Sequence, residues 1–383
     1  MQSETQTDYL NLKYESLTKL THSNITKLIA ESCSVEQPFQ SETIQHLELR
    51  NCCFSSASDL ILNQCVILNL NYNKIKDIQI QAPLTELSIE CNLFSSANFL
   101  KNLSQLTVLN LAWNQFTDIS SITHLQYLLD LNLSFNSDVN IEPLKYLKQL
   151  RQLNLSDCNV KSIAALIELP NLQFLDVSGN FYMDYTMLQH MKQLTRLHAT
   201  RNNIQDVTYL QNLNLVELDL SENYEITNIH PLQYIASLTI LSLRNCSLFE
   251  ISALIPLKRL EELDIAGNQI VHISALKYLP LKTVDIGGNF IKNFDVFKTL
   301  DQVQYQTNQR EPEQKRLKFA HKMKVIGEKI TVLRESKRKC AQYIINQRIN
   351  EGKVKALLQS QMVNYVSATN QIVSLFQRIT YTE

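Results

Sequence analysis

The chain has 383 residues, 44% of them hydrophobic and 19% charged, with a formal net charge of −1. Such a composition can bury a core and excludes an intrinsically disordered chain. Only six glycines are present, which excludes glycine-rich linkers and argues against phosphate-cradling loops.

The near-neutral total hides an asymmetry. Residues 301–383 carry 15 Lys and Arg against 7 Asp and Glu, about +8, while residues 1–300 carry the opposing balance of about −9. The opening stretch, MQSETQTDYLNLKYESL, lacks the basic and apolar regions of an export signal. No apolar run approaches the roughly 18 residues of a membrane-spanning helix. A cytoplasmic chain without a membrane span is the expectation.

Residues 1–43 follow no clear template. Leu17, Leu20, Ile25 and Leu28 are spaced for a short helix, so this segment is expected to form an N-terminal cap behind a partly disordered leader.

From Ile44 a unit recurs, best seen in Leu106–Tyr127, LTVLNLAWNQFTDISSITHLQY. Leu106, Leu109 and Leu111 alternate or nearly so, as in a strand with one buried face. Phe116, Ile119, Ile122 and Leu125 then follow in steps of three, which predicts a 3₁₀ or single-turn helical return. With Leu106 as position 1, the first position recurs at Ile44, Cys65, Leu84, Leu106, Leu128, Leu150, Leu172, Leu194, Leu215, Leu238, Leu260 and Leu281, mostly 22 residues apart. Position 9 reads Cys52, Asn73, Asn92, Asn114, Asn136, Cys158, Asn180, Asn202, Asn223, Cys246, Asn268 and Asn289. A buried amide there can satisfy backbone groups where each strand turns away, and cysteine can stand in as a small, weak donor. Local bulges are expected at Asp138, which puts a polar residue at position 11, and after Asn223, where one extra residue is inserted.

This pattern resembles the leucine-rich repeat family. The nearest kinds are the 22-residue repeats of cytosolic eukaryotic proteins, including a regulatory subunit of protein phosphatase 1, and those of bacterial internalins. The resemblance implies an α/β solenoid over residues 44–310, with twelve repeats and a closing cap, a parallel concave sheet and short helical turns on the convex side. Beyond it, residues 311–383 change period. Phe319, Met323, Ile326, Ile330 and Leu333, then Val354, Leu358, Tyr365, Ile372 and Leu375, suit a basic helical hairpin closed near Gly352, or an intermolecular coiled coil. That segment could self-associate or take a second partner. Nucleic acid is disfavoured, because no stacking aromatics are interleaved with its charges.

No phosphate loop, HExxH or GxSxG sequence appears, and the eight cysteines show no zinc spacing. No cofactor, metal site or catalytic constellation is expected, and the cysteines read as reduced. Function is expected on the concave face. Position 8 places Tyr72, Trp113 and Phe135 there, and position 3 adds Phe174. Position 5 turns acidic in the second half, through Asp176 and Asp219 around His198. Exposed aromatics are enriched at binding hot spots, so these seven residues form the candidate surface for a protein partner. The alternative for the aromatics is packing along the sheet that merely stiffens it. Arg196, Arg201 and Arg244 are expected in cross-strand ion pairs. The reading is a non-enzymatic adaptor, with a phosphatase-type regulator as its most concrete version and a secreted, internalin-like adhesin as the competitor.

Overall fold

A computed structural model describes residues 9–14, 16–17, 25–35, 39–52, 59–300 and 304–306. The chain divides into Met1–Gln309 and Arg310–Glu383. The expected hairpin or coiled coil at 311–383 lies outside the described residues.

One parallel sheet of 15 strands runs through the first unit, each strand beside its neighbour in sequence. Position 4 forms its central row: Leu47, Leu68, Leu87, Leu109, Leu131, Leu153 and Leu175 pair one after another across the ladder. Leu109 is 1% and Leu131 0% exposed, so the alternation reads as expected. Most strands are only three residues long, as at Val108–Asn110, because position 8 leaves the extended region. All twelve residues there have positive φ, from Asn51 and Tyr72 through Trp113 and Phe135 to Gly267 and Gly288. The backbone turns the corner at that point.

The position-9 asparagines hold the corner. Asn114 donates from Nδ2 to the carbonyls of Ile89, Leu111 and Ala112 at 2.9, 3.1 and 3.0 Å, and its Oδ1 accepts the Phe94 N–H at 3.0 Å. Asn92, Asn136, Asn268 and Asn289 repeat the arrangement. Each amide thus satisfies groups in two successive repeats that could reach no other partner without water. Cysteine does half of this. Cys158 Sγ donates to the Leu133 carbonyl at 3.1 Å, but the N–H it leaves unserved, that of Asp138, goes to the Cys158 carbonyl at 2.9 Å instead. There Asp138 sits at φ +66° and faces water while Val139 takes the core position. After Asn223 the same displacement puts Glu225 outside and Ile226 inside. Tyr182, 78% exposed beside buried Met183, is a third such site, which the template did not indicate.

Two expectations are corrected. The first is the helical reading of the N-terminal segment: Lys27–Glu31 is a strand paired to His46–Arg50, and Tyr9–Lys13 pairs to it in turn. Ile25, Leu28, Ala30 and Cys33 are buried at the places held by Ile44, Leu47, Leu49 and Cys52. Their interval of 19 residues hides them from a 22-residue template. The second is the α/β label, since no α-helix occurs among the described residues; the returns are the expected 3₁₀ turns, from Asn98–Asn102 to Asp295–Thr299. Ahead of these, Phe39–Ser41, Asp59–Leu62 and Gln79–Gln81 form a second parallel sheet. Repeat intervals there are 19, 21 and 19 residues, from Ile25 to Ile44, Cys65 and Leu84. An extended residue advances about 3.3 Å against about 2.0 Å in a 3₁₀ turn, so a shortened return spans its distance by extending. Where the 3₁₀ turns run, position 13 caps them (position 14 at Asn228, after the extra residue): Asp118, Asn140, Asp184, Asp206, Asn228 and Asn293 each accept the N–H two residues on, at 2.7 to 3.1 Å.

Candidate functional site

The seven candidate residues fall into two groups and one outlier. Trp113 and Phe135 follow their strands at φ +54° and +58°, where the left-handed corner throws each side chain outward. Their backbone N–H groups still reach the next repeat, at Ser134 O and Ser156 O, so the display is anchored. The rings stack on each other with centroids 3.8 Å apart and planes 12° from parallel. Trp113 nevertheless stays 50% exposed. The pair therefore stiffens itself and remains open to solvent.

Tyr72 is in the same column, with Cys91 between it and Trp113. It is more than half exposed, and its hydroxyl donates to Glu90 at 3.4 Å. The negative charge of Glu90 pushes the Tyr72 phenol above its usual range.

Phe174 belongs elsewhere. Its face carries the Arg196 guanidinium at 4.8 Å and its ring meets His198 edge-on at 5.1 Å. The sequence put Phe174 with Trp113 and Phe135; the structure gives it this separate cluster, five positions earlier along its repeat. Asp176, His198 and Asp219 do share one register row, yet His198 Nε2 meets Glu217 Oε1 at 2.7 Å rather than either aspartate.

The position-5 column has a structural purpose that its charge concealed. Asn110, Asn132, Asn154, Asp176, Asp219, Asp264 and Asp285 each accept, through Oδ1, the backbone N–H two residues on at 2.8 to 3.0 Å. Short polar side chains making this local turn bond are favoured wherever a strand ends. Asp176 and Asp219 thus each have one oxygen bound to backbone and one available.

Of the arginines, Arg244 makes the expected cross-strand pair, Nε to Asp264 Oδ2 at 2.7 Å, and a second with Asp285. Arg201 reaches back two repeats to Asp157 at 3.2 Å. It does so over Gly179, where a Cβ would lie 2.5 Å from Asp157 Oδ1. Among the described residues no group of His, Cys, Asp and Glu is arranged to hold a metal. No helix among them is long and apolar enough to cross a membrane.

Sequence reasoning passed over three carboxylates in the repeats around the aromatic pair, two at position 3 and one at position 7. The register sets Glu86, Val108 and Asp130 side by side. Glu90, two residues beyond the strand Glu86–Ser88, holds Asn110 Nδ2 at 3.1 Å. Burial raises the Asp130 carboxyl above the ordinary range. A charge count over whole halves of the chain averages these three away; a count per column would have shown them.

Comparison with known proteins shows what this geometry is similar to. A leucine-rich repeat model of two copies matches residues 148–189, and a single-repeat model matches 103–119. No curated protein matches the chain at a significant level. Among solved structures, the internalin InlF of Listeria monocytogenes aligns over 76% of this chain and 82% of its own, with 20% identity and a TM-score of 0.59. A leucine-rich repeat protein of Leptospira interrogans aligns over 78% and 89%, with 19% identity and a TM-score of 0.57. These matches support the leucine-rich repeat family and the solenoid fold. They indicate no catalytic family, and both the phosphatase-regulator and internalin kinds of repeat are compatible with them.

Proposed function

We propose that this protein is a non-enzymatic interaction scaffold that docks a protein partner on its concave face, with Trp113 and Phe135 at the centre of the contact. The observation that carries the reading is the stacked pair itself. Two large rings held rigid by each other and by an anchored backbone lose little entropy on binding, while leaving half-bare apolar surface in water is costly.

A reducing compartment suits the cysteines. Cys33, Cys65, Cys91, Cys158 and Cys246 are unbridged thiols, and burial pushes Cys65 to about 11 and Cys158 and Cys246 to about 12. Thiols so raised are poor nucleophiles and serve as packing. This supports a cytoplasmic adaptor over an exported adhesin of internalin type. A phosphatase catalytic subunit is the first partner class to test.

The test compares proteins captured by the full chain with those captured by the Trp113→Ala, Phe135→Ala variant. A specific partner retained by the first and lost by the second, with unchanged circular dichroism, is the expected result. Equal capture by both removes the aromatic pair from the interface.

A further inference from the structure

The strand segments around the aromatic pair are one-sided in charge. Residues 65–72, 84–91, 106–113 and 128–135 contain Glu86, Glu90 and Asp130 and no Lys or Arg. Among the described residues none of the three carboxylates has an ion-pair partner; Arg50, the cation beside Tyr72, is held by Glu48. Farther along the sheet the pattern reverses, for there Arg201, Arg244 and Lys282 each pair with a carboxylate. Among the described residues Asp176, Asp219, Glu222 and Glu262 also lack an ion pair there, but only around Trp113 and Phe135 do four successive segments carry no Lys or Arg. The unpaired charge acts on its surroundings too, since Glu90 raises the Tyr72 phenol and adds to the burial that raises the Cys91 thiol.

The surface already contains an example of what satisfies such a place. Phe174 is capped by the Arg196 guanidinium at 4.8 Å, whereas no Lys or Arg stacks on Trp113 or Phe135 among the described residues. Tryptophan offers the most favourable ring face for a cation.

We propose, resting on the concave-face reading above, that the occupant of this patch is an extended, basic segment of a protein partner. One Lys or Arg lies over Trp113 within reach of Glu90, and a second sits by Val108 between Glu86 and Asp130. Positions 3 and 7 of a strand are four residues apart, which sets the two cations roughly 13 Å from each other.

Trp113 is the chain's only tryptophan, so its emission reports this site and no other. The probes are an octapeptide of alternating Arg and Gly and its Glu-Gly counterpart, titrated into the full chain at fixed ionic strength. Saturable quenching by the Arg-Gly peptide is expected, with no response to Glu-Gly. In the Glu90→Gln, Asp130→Asn variant the affinity should fall about tenfold or more, the scale of losing two cation contacts. A Glu262→Gln variant, remote from the pair, should bind as the unaltered protein does. Absence of quenching, an equal response to Glu-Gly, or undiminished affinity in the double variant overturns the basic-segment assignment. Capture separates this from the parent reading. If the partner lost by Trp113→Ala, Phe135→Ala is kept by Glu90→Gln, Asp130→Asn, docking stands and its cationic chemistry falls. If both variants keep it, both readings fall.

Discussion

Asp130 sits half-buried on a strand with its carboxyl raised by desolvation and, among the described residues, no ion-pair partner. A carboxyl that holds its proton to higher pH in the folded chain than in the unfolded one makes stability fall as pH rises through the window above 3.8. At neutral pH that cost is fully present. Asp130→Asn should therefore raise the melting temperature at pH 7, and the gain should disappear at about pH 3, where both states are protonated. Melting curves at the two pH values check it; a variant less stable at pH 7 would show that Asp130 has a favourable partner. The same change is expected to weaken the basic peptide, so stability and binding should move in opposite directions at one residue.

At the scale of the element, the corner asparagine is the unit of cohesion, and its cysteine replacements give a natural grading. Asn268 donates to Leu243 and Ile265 and accepts from Leu248. Asn268→Cys keeps a weak donor and strands the Leu248 N–H, at a cost of about 1–3 kcal/mol. Asn268→Ala also strands the carbonyls and should cost more. Denaturant titration of both variants decides; an alanine variant no worse than the cysteine one would show that water replaces the amide. The asparagines were legible because they recur in a fixed register. The acceptor column at position 5 was legible only as composition: an aspartate bonding its own backbone and an aspartate awaiting a ligand are the same letter. The change from strand to 3₁₀ on the convex side was hidden for a different reason, since a short return such as Gln79–Gln81 has too few residues for any period to show.

At the scale of the molecule, a stacked array derives its stability from nearest-neighbour contacts, so its ends matter more than its middle. The first strands were missed because the interval from Ile25 to Ile44 is shortened to 19 residues and Ala30 stands where Leu49 and Leu70 are large and apolar. Their burial nonetheless covers the Leu47 and Leu49 layer. A chain starting at Ile44 should expose that layer and a bare strand edge, which invites self-association. Lower melting temperature and increased light scattering are expected, with roughly 2–4 °C lost per kcal/mol. Behaviour identical to the full chain would reduce residues 1–43 to a dispensable leader.

The left-handed corner has a consequence for how such a surface can change. Every L-residue there bears a comparable steric penalty of about 1–2 kcal/mol, whether it is Asn51, Cys91, Arg201 or Trp113. Exchanging one non-glycine side chain for another at that column leaves the main-chain path and its strain nearly untouched, whereas a Cβ at Gly179 or Gly267 would displace Asp157 or Asn245. The column is thus a rack of interchangeable fittings, in which recognition can be rewritten, or shifted to the next coil, without renegotiating the frame that carries it.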